Sequence, residues 1–463
     1  MRWTIPQLAH AIGGRIDPVG APGAGESYPG RGFGPVGIDS RDMSPGGVFV
    51  PIVAGRDGHA FIPEAVARGA GVYLYAHGHR PAPEIPGAVS IAVVDTGNAL
   101  LDIGRAARCR LDCPVVGITG SVGKTSTKDL AAAAVGAGRR VTASARSFNN
   151  ELGVPLTLAN GVEETEVAIV EMGARGVGHI ARLCDVARPT MAVVTAVAAA
   201  HTELFGGVEV IARAKGELVE ALPAGGTAVL NGDDALVSAM AARTKAAVLR
   251  YGVAGSSPGS ALDVVAEQVE MDDELRASYI LRSPWGSATV VLSVRGAQQV
   301  GNSLAALAVA LELGVDLDAA VAALGSAPSS PWRMELGTAP GGARILNDAY
   351  NANPTSMAAA LDGLARLRAN RRIAVLGEMA ELGPSGPAEH RRIAALAADL
   401  AVDLVIVGTS DYGIVPAANI EEALAAVGPL TAGDAVLIKG SRVAGLERLA
   451  ARLLGHPPQS DHC

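Results

Sequence analysis

The stretch Gly117-Ile118-Thr119-Gly120-Ser121-Val122-Gly123-Lys124-Thr125 carries the residue types that grip a polyphosphate. Glycines let the backbone approach phosphate oxygens and turn successive N–H groups toward them, and a helix beginning there adds partial positive charge. Lys124 then reaches outer phosphate oxygens, the Thr125 hydroxyl suits Mg2+, and Ser126 follows in the first helical turn. ATP is the expected ligand. The generic loop of this kind has a glycine five residues before Gly123, where this chain has Ile118, and Gly117 falls one residue early. The Thr-Gly-x-x-Gly-Lys-Thr core is intact, so the phosphate chemistry is kept in a variant loop.

Such a loop works only between a strand and a helix. Pro114-Val115-Val116 before it suits a buried parallel strand, and the alanine-rich run Ser126 to Ala134 after it favours helix. Downstream, short Val/Ile runs alternate with Ala/Leu-rich helical stretches, the pattern of a parallel sheet covered by helices. Ligand sites in such sheets lie at the carboxyl ends of the strands. Val167 to Val170 is followed by Glu171-Met172-Gly173, and Met191 to Thr195 by His201-Thr202-Glu203, so Glu171 and His201 are expected to flank the phosphate loop. Apolar and polar residues alternate from Ala261 to Val294, which predicts antiparallel strands extending this domain.

At 463 residues the chain is long enough for about three domains. The expected division is a small N-terminal α/β domain at 1–95, a central phosphate-loop domain with a parallel sheet at 96–325, and a C-terminal doubly wound domain at 326–463. In the first, Thr4 is a helix N-cap before Ile5. Ser40, Arg41, Asp57 and His59 sit at strand ends and loops, as ligand contacts or as ordinary turn chemistry. A Ser/Pro-rich linker, Gly325 to Pro331, leads into the last domain, whose strands are read at 343–346, 373–376, 404–407 and 435–438. With aromatics at 3% of residues, the cores must be built from Ala, Val and Leu. A net charge of −8 argues against a nucleic-acid partner. Cys109, Cys113, Cys184 and Cys463 are too few and too irregular for a disulfide framework. No stretch is long enough to span a bilayer, so a cytoplasmic protein acting on small molecules, without membrane insertion and monomeric, is expected.

Taken together these residues resemble the Mur ligase family of ATP-dependent amide-forming enzymes, and the likeness runs over nearly the whole chain. The resemblance implies ATP and Mg2+ as cofactors. Gly120, Ser121, Val122, Gly123, Lys124 and Thr125 match the family's phosphate loop, Glu171 its magnesium glutamate, His201 its histidine, and Lys215, in Ala214-Lys215-Gly216-Glu217, its carbamylated lysine. Asn302 matches the asparagine near the adenine. Arg333 and Asp348 fall at the ATP-contacting arginine and aspartate. The implied metal set is Thr125, Glu171, His201 and Lys215, and Lys124, His201 and Lys215 are the implied catalytic residues. Within the family, Ser147-Phe148-Asn149-Asn150-Glu151 and Asp348-Ala349-Tyr350-Asn351-Ala352-Asn353-Pro354 are similar to the member that adds D-alanyl-D-alanine to UDP-N-acetylmuramoyl-tripeptide. That places Asn149, Asn150, Tyr350, Asn351 and Asn353 toward substrate, and Ser40, Arg41, Asp57 and His59 around its UDP end. No Asp-Asn-Pro-Arg motif of the diamino-acid-adding sibling is found. Ala349 and Ala196 depart from the serine and asparagine that such members often carry.

An amide does not form directly from a carboxylate and an amine in water; ATP first converts the carboxylate to an acyl phosphate. A free Lys215 ammonium would be repelled by Mg2+, whereas a CO2 adduct would act as a carboxylate ligand. Singly, Glu171 also reads as a helix cap, His201 as a loop residue, Lys215 as a surface lysine, Asn302 as a cap, and Arg333 and Asp348 as ion-pair residues. A nucleotide-driven switch without ligation is the competing reading, and it leaves Glu171, His201 and Lys215 without a task.

Overall fold

Thr4 opens the first helix, Ile5–Ala11, as expected: its hydroxyl accepts from the Gln7 N–H while Gln7 reaches back to the Thr4 N–H, a reciprocal cap with Pro6 in the first turn. The computed structural model describes residues 1–17, 32–79, 85, 87–145, 147–198, 206–256 and 261–456. His201, Thr202, Glu203 and Cys463 lie outside the described residues. The chain divides into two compact units, one of Met1–Gly117, Arg139–Gly173 and Ile180–Met191, the other of Ile118–Gly138, Ala174–His179 and Ala192–Cys463.

The first unit contains a five-stranded sheet of β1 (Arg15–Ile16), β2 (Val36–Gly37), β3 (Gly47–Phe49), β4 (Ala70–Ala76) and β5 (Val89–Val93), in the order β1-β5-β4-β3-β2. Only β1 runs antiparallel to its neighbour. Phe49, Tyr73, Tyr75 and Ala92 pack on one face with Ile62 and Ala65 of the helix Ile62–Ala67. Later in the chain, β6 (Val115–Thr119) leads into the phosphate loop, and β7 (Val141–Ala143) pairs in parallel with β8 (Val167–Glu171) within the first unit.

In the second unit β9 (Met191–Val194), β10 (Thr227–Asn231), β11 (Ala247–Val253), β12 (Val264–Met271), β13 (Arg276–Ser283) and β14 (Gly286–Arg295) follow one another side by side, and β6 adjoins β9. The β10-β11-β12 pairings are parallel and the β12-β13-β14 pairings antiparallel, as the alternation from Ala261 to Val294 predicts. Ile118, where the generic loop has glycine, is fully buried inside β6. The strand therefore runs two residues past Gly117, and the backbone turns only from Gly120.

The last sheet is β15 (Glu335–Thr338), β16 (Arg344–Asn347), β17 (Arg371–Leu376), β18 (Asp403–Ile406) and β19 (Asp434–Lys439), ordered β15-β16-β19-β17-β18 and parallel except for β15. Its strands bury both faces with the period of two that a pleated strand imposes. Ile373, Val375, Val436 and Ile438 pack on one side with Ala423 and Leu449. Ala374, Leu376, Ala435 and Leu437 pack on the other with Leu361 and Ile393. This is the doubly wound arrangement, and it puts the ends of β16, β17 and β19 together on one edge.

Candidate active site

The phosphate loop is shaped by two glycines. Gly120 has φ +155° and Gly123 φ +87°, and Gly123 is the residue before the helix Lys124–Gly136. Neither tolerates a side chain: a Cβ at Gly120 would fall 1.8 Å from Thr195 Oγ1, and one at Gly123 would fall 2.5 Å from Asn302 Oδ1. The contacts that crowd these glycines also hold the loop. Thr195, just past β9, places its hydroxyl 2.6 Å from the Val122 carbonyl and 3.3 Å from that of Thr119. The Ser121 N–H donates to Ala196 O at 2.7 Å, and the Ser121 hydroxyl donates to Ala198 O at 3.0 Å. Lys124 donates its ammonium to Gly120 O at 2.8 Å. This cradle of open backbone at a helix N-terminus fits the phosphates of a nucleotide, and the Thr125 hydroxyl is an oxygen donor of the kind Mg2+ prefers.

Asn302 is buried in the helix Gln298–Glu312, accepting from the Thr127 hydroxyl at 3.1 Å and donating to Gln299 Oε1 at 2.9 Å. It thus stands against both the loop glycine and the phosphate-loop helix. Ser126 lies in that helix beside Thr125. Arg333 lies just past the linker: its Nη2 donates to the Thr125 hydroxyl at 2.9 Å, and its guanidinium lies 4.1 Å from the Tyr350 ring centre. Asp348 follows β16. One carboxylate oxygen accepts from the Met334 N–H at 3.1 Å and the other from the Lys439 ammonium at 2.5 Å. Lys439 also donates to Asn351 O at 2.8 Å and is 2% exposed. Asn353 caps the helix Pro354–Arg366 by accepting from the Ser356 N–H. Ala349 is buried in the apolar cluster on one face of the last sheet, where a serine hydroxyl would need a partner.

Lys215 is not a surface lysine. It lies in the helix Val208–Glu220 and is 4% exposed. Among the described residues no hydrogen bond or ion pair reaches its ammonium. Burial, and secondarily the positive charge of Lys124, hold it well below the usual ammonium range.

In the first unit, Glu171 ends β8 almost wholly buried and accepts from Asn149 Nδ2 at 2.8 Å. A Cβ at Gly173 would press on the Asn149 amide at 2.9 Å, so the Glu-Met-Gly glycine is required by that contact. Asn150 is drawn into the backbone, its side chain accepting from the N–H groups of Leu152 and Gly153. Ser40 donates to Glu64 at 2.8 Å, and Arg41 is bound to Asp39 through Nε and Nη2. Asp57 lies 2.6 Å from His59 Nδ1 and 3.0 Å from His79 Nδ1. Because His59 Nε2 accepts the Ala76 N–H, its ring proton sits on Nδ1, directed at Asp57. Those bonds hold Asp57 below the usual carboxylate range, the His59 backbone N–H contributing most.

Two functional groups escaped the sequence reading. The sequence pattern places Thr195 at the end of a strand, and Lys439 is not among the residues it singles out. The signal was available for both, since each closes a strand on the ligand-binding edge of its sheet.

A parallel sheet, a glycine loop feeding a helix, and a guanidinium held on the loop threonine define a nucleotide-dependent enzyme of the phosphate-loop class. The model of the Mur ligase middle domain matches residues 118–310, and that of the Mur ligase glutamate ligase domain matches 332–442. The chain is 40% identical to the UDP-N-acetylmuramoyl-tripeptide--D-alanyl-D-alanine ligase of Mycobacterium bovis, with 97% of each chain covered. It is 33% identical to the Escherichia coli protein of that name, over 90% of this chain and 93% of the other. Among solved structures it resembles MurF from Acinetobacter baumannii, with a TM-score of 0.84, 29% identity and coverage of 98% of this chain and 99% of that one. It also resembles the MurF ligase from Thermotoga maritima in complex with ADP, with a TM-score of 0.75, 26% identity and coverage of 90% and 96%. This chain belongs to the Mur ligase family.

Proposed function

We propose that the chain joins D-alanyl-D-alanine to UDP-N-acetylmuramoyl-tripeptide, with ATP cleaved to ADP and phosphate, in the making of peptidoglycan precursors. The observation that carries this reading is the phosphate loop with Arg333 seated on Thr125, in a chain whose relatives bear that activity by name. A carboxylate oxygen of the tripeptide attacks the γ-phosphorus of ATP, the bond to ADP breaks, and an acyl phosphate forms. The dipeptide amine then attacks the acyl carbon, phosphate leaves, and the amine loses a proton. Lys124 and the loop N–H groups hold phosphate oxygens, and Arg333 neutralises charge developing on the transferred group. Asn302 braces the loop beside the base, and Asp348 is held for the nucleotide by Lys439. When bound, Mg2+ offsets the charge of the phosphates; Thr125, Glu171, His201 and Lys215 are the residues assigned to it.

For Lys215 the supporting observation is a buried amine without a counter-ion among the described residues. A neutral amine adds to CO2 carbon with loss of a proton, leaving a carbamate. Formate or acetate is expected to restore part of the activity of Lys215→Ala; the absence of any rescue counts against the carbamate. Ser40, Arg41, Asp57 and His59 are assigned to the UDP end and Asn149, Asn150, Asn351 and Asn353 to the peptide. The domains are taken as 1–95, 96–325 and 326–463, in a cytoplasmic monomer. The decisive assay incubates the protein with UDP-tripeptide, ATP and D-alanyl-D-alanine and follows mass and ADP together. A product heavier by the dipeptide less water is expected, with ADP release that needs both other substrates. An unchanged UDP-tripeptide mass would defeat the reading, and ADP release without product would favour the nucleotide switch.

A further inference from the structure

We propose that Tyr350 is a positioning residue for the phosphoryl-transfer step, whose ring is the platform that keeps the Arg333 guanidinium on the phosphate-loop threonine. The family resemblance directs Tyr350 toward substrate, and the structure sets its ring against Arg333. The Arg333 guanidinium carbon stands 4.1 Å from the Tyr350 ring centre, within cation–π range, while Nη2 of the same group donates to Thr125 at 2.9 Å. Arg333 Nε is buried without a partner, so hydrogen bonds alone do not fix the plane of the group. The Tyr350 hydroxyl makes no hydrogen bond to any described residue, which leaves the ring as the part in use.

The backbone around Arg333 is built to the same end. Trp332 and Met334, on either side of it, have φ +60° and +51°, a left-handed conformation that is costly for residues with a Cβ. Such strain persists only where surroundings enforce it. Here the Met334 N–H donates to Asp348 and the Tyr350 N–H donates to Trp332 O at 3.2 Å, tying the segment 332–334 to the segment 348–350. Trp332 is covered in turn by Arg442, 4.5 Å from its ring centre, and Arg442 is paired with Glu447. The result is one arginine between left-handed neighbours, with its guanidinium over a tyrosine whose own backbone holds one of those neighbours.

This inference rests on the reading that Arg333 serves the phosphates of ATP, and the test separates the two. The variants are Tyr350→Phe, Tyr350→Leu, Arg333→Ala and the Tyr350→Leu/Arg333→Ala double. Each is assayed for kcat and for KM of ATP, UDP-tripeptide and dipeptide, with a thermal melt alongside. Tyr350→Phe is expected to match the parent, and Tyr350→Leu to lose about threefold to thirtyfold in kcat/KM for ATP, the size of one cation–π contact. Tyr350→Leu is expected to add nothing to the loss already caused by Arg333→Ala. Additive losses, a Phe variant as poor as Leu, or an effect confined to the KM of UDP-tripeptide or dipeptide would each overturn the proposal. An Arg333→Ala enzyme with parental ATP kinetics would instead overturn the role given to Arg333. If Tyr350→Leu melts early, Tyr350→Met, flexible enough to fill the same volume, takes its place under the same criteria.

Discussion

Replacing Lys439 with methionine tests whether the edge of the last sheet is held by charge. The ammonium has three oxygens around it, Asp348 Oδ2 at 2.5 Å, Asn351 O at 2.8 Å and Asp348 O at 3.4 Å. The two side chains are 3% and 14% exposed, so water contributes little. Removing the cation strands a carboxylate and a carbonyl in that setting, for which about 3–5 kcal/mol is expected. Asp348 keeps its bond from the Met334 N–H and some contact with solvent, which places the cost near the lower end, at about 3 kcal/mol. In a cooperative unit of about 150–250 residues that corresponds to a fall of roughly 6–12 °C in the melting temperature of the affected transition. Scanning calorimetry on the parent, Lys439→Met, Asp348→Asn and the double variant reads the effect directly. Because the penalty comes from an orphaned charge, the double variant should melt well above the sum of the singles, with a coupling of about 2 kcal/mol. A single-variant cost below about 1 kcal/mol, or strict additivity, would refute the argument that a dry ion pair organises this edge.

Three further outcomes are expected. Gly123→Ala, with φ at +87° and its new methyl 2.5 Å from Asn302 Oδ1, should lose stability by about 1–3 kcal/mol and bind ADP weakly in a calorimetric titration. Normal ADP binding would contradict the fixed loop. Asp233 is held above the usual carboxylate range by burial, and its Oδ1 is buried without a partner. Its folded-state value is raised, so the penalty is present at neutral pH and is relieved as pH falls through that value. Asp233→Asn should therefore melt above the parent at pH 7, by about 1 kcal/mol, with the gap closing toward acid pH. A constant gap would refute it. Lys215→Met, which removes an amine buried without a counter-ion among the described residues, should raise stability by about 1–2 kcal/mol while abolishing ligation. A lowered melting temperature would argue that Lys215 is structurally satisfied.

The sheets were legible because buried parallel strands announce themselves as short apolar runs: 167–170, 373–376 and 435–438 each fall inside a strand. The phosphate loop was legible because few backbones other than glycine turn that way at Gly120 and Gly123. What partner each polar side chain takes was less so. The resemblance turns Asn150 toward substrate, and the structure adds that its side-chain oxygen closes a turn onto Leu152 and Gly153, a contact that depends on local dihedrals rather than on residue type. Tyr350 carries the same lesson in reverse, since only folding brings it under an arginine 17 positions before it. Lys215, which taken singly reads as a surface lysine, is buried, because a helix places its residues by angle, and this one faces inward. Thr195 and Lys439 were missed because each bonds to groups distant in the chain, 73 residues away for the Val122 carbonyl and 91 for Asp348.

The threonine behind the phosphate loop has one more consequence. With the Thr195 hydroxyl on the Val122 carbonyl and the Ser121 N–H on Ala196 O, the loop is laced to its neighbouring strand by bonds made wholly within the chain. A loop that is already ordered loses little conformational freedom when it closes on phosphate, so more of the interaction appears as affinity. Thr195→Val, which keeps the shape and removes only the hydroxyl, would shift that burden to the ligand. The loop would then have to be frozen at the moment of binding, and nucleotide association would carry an entropic cost that the parent chain has already met in folding.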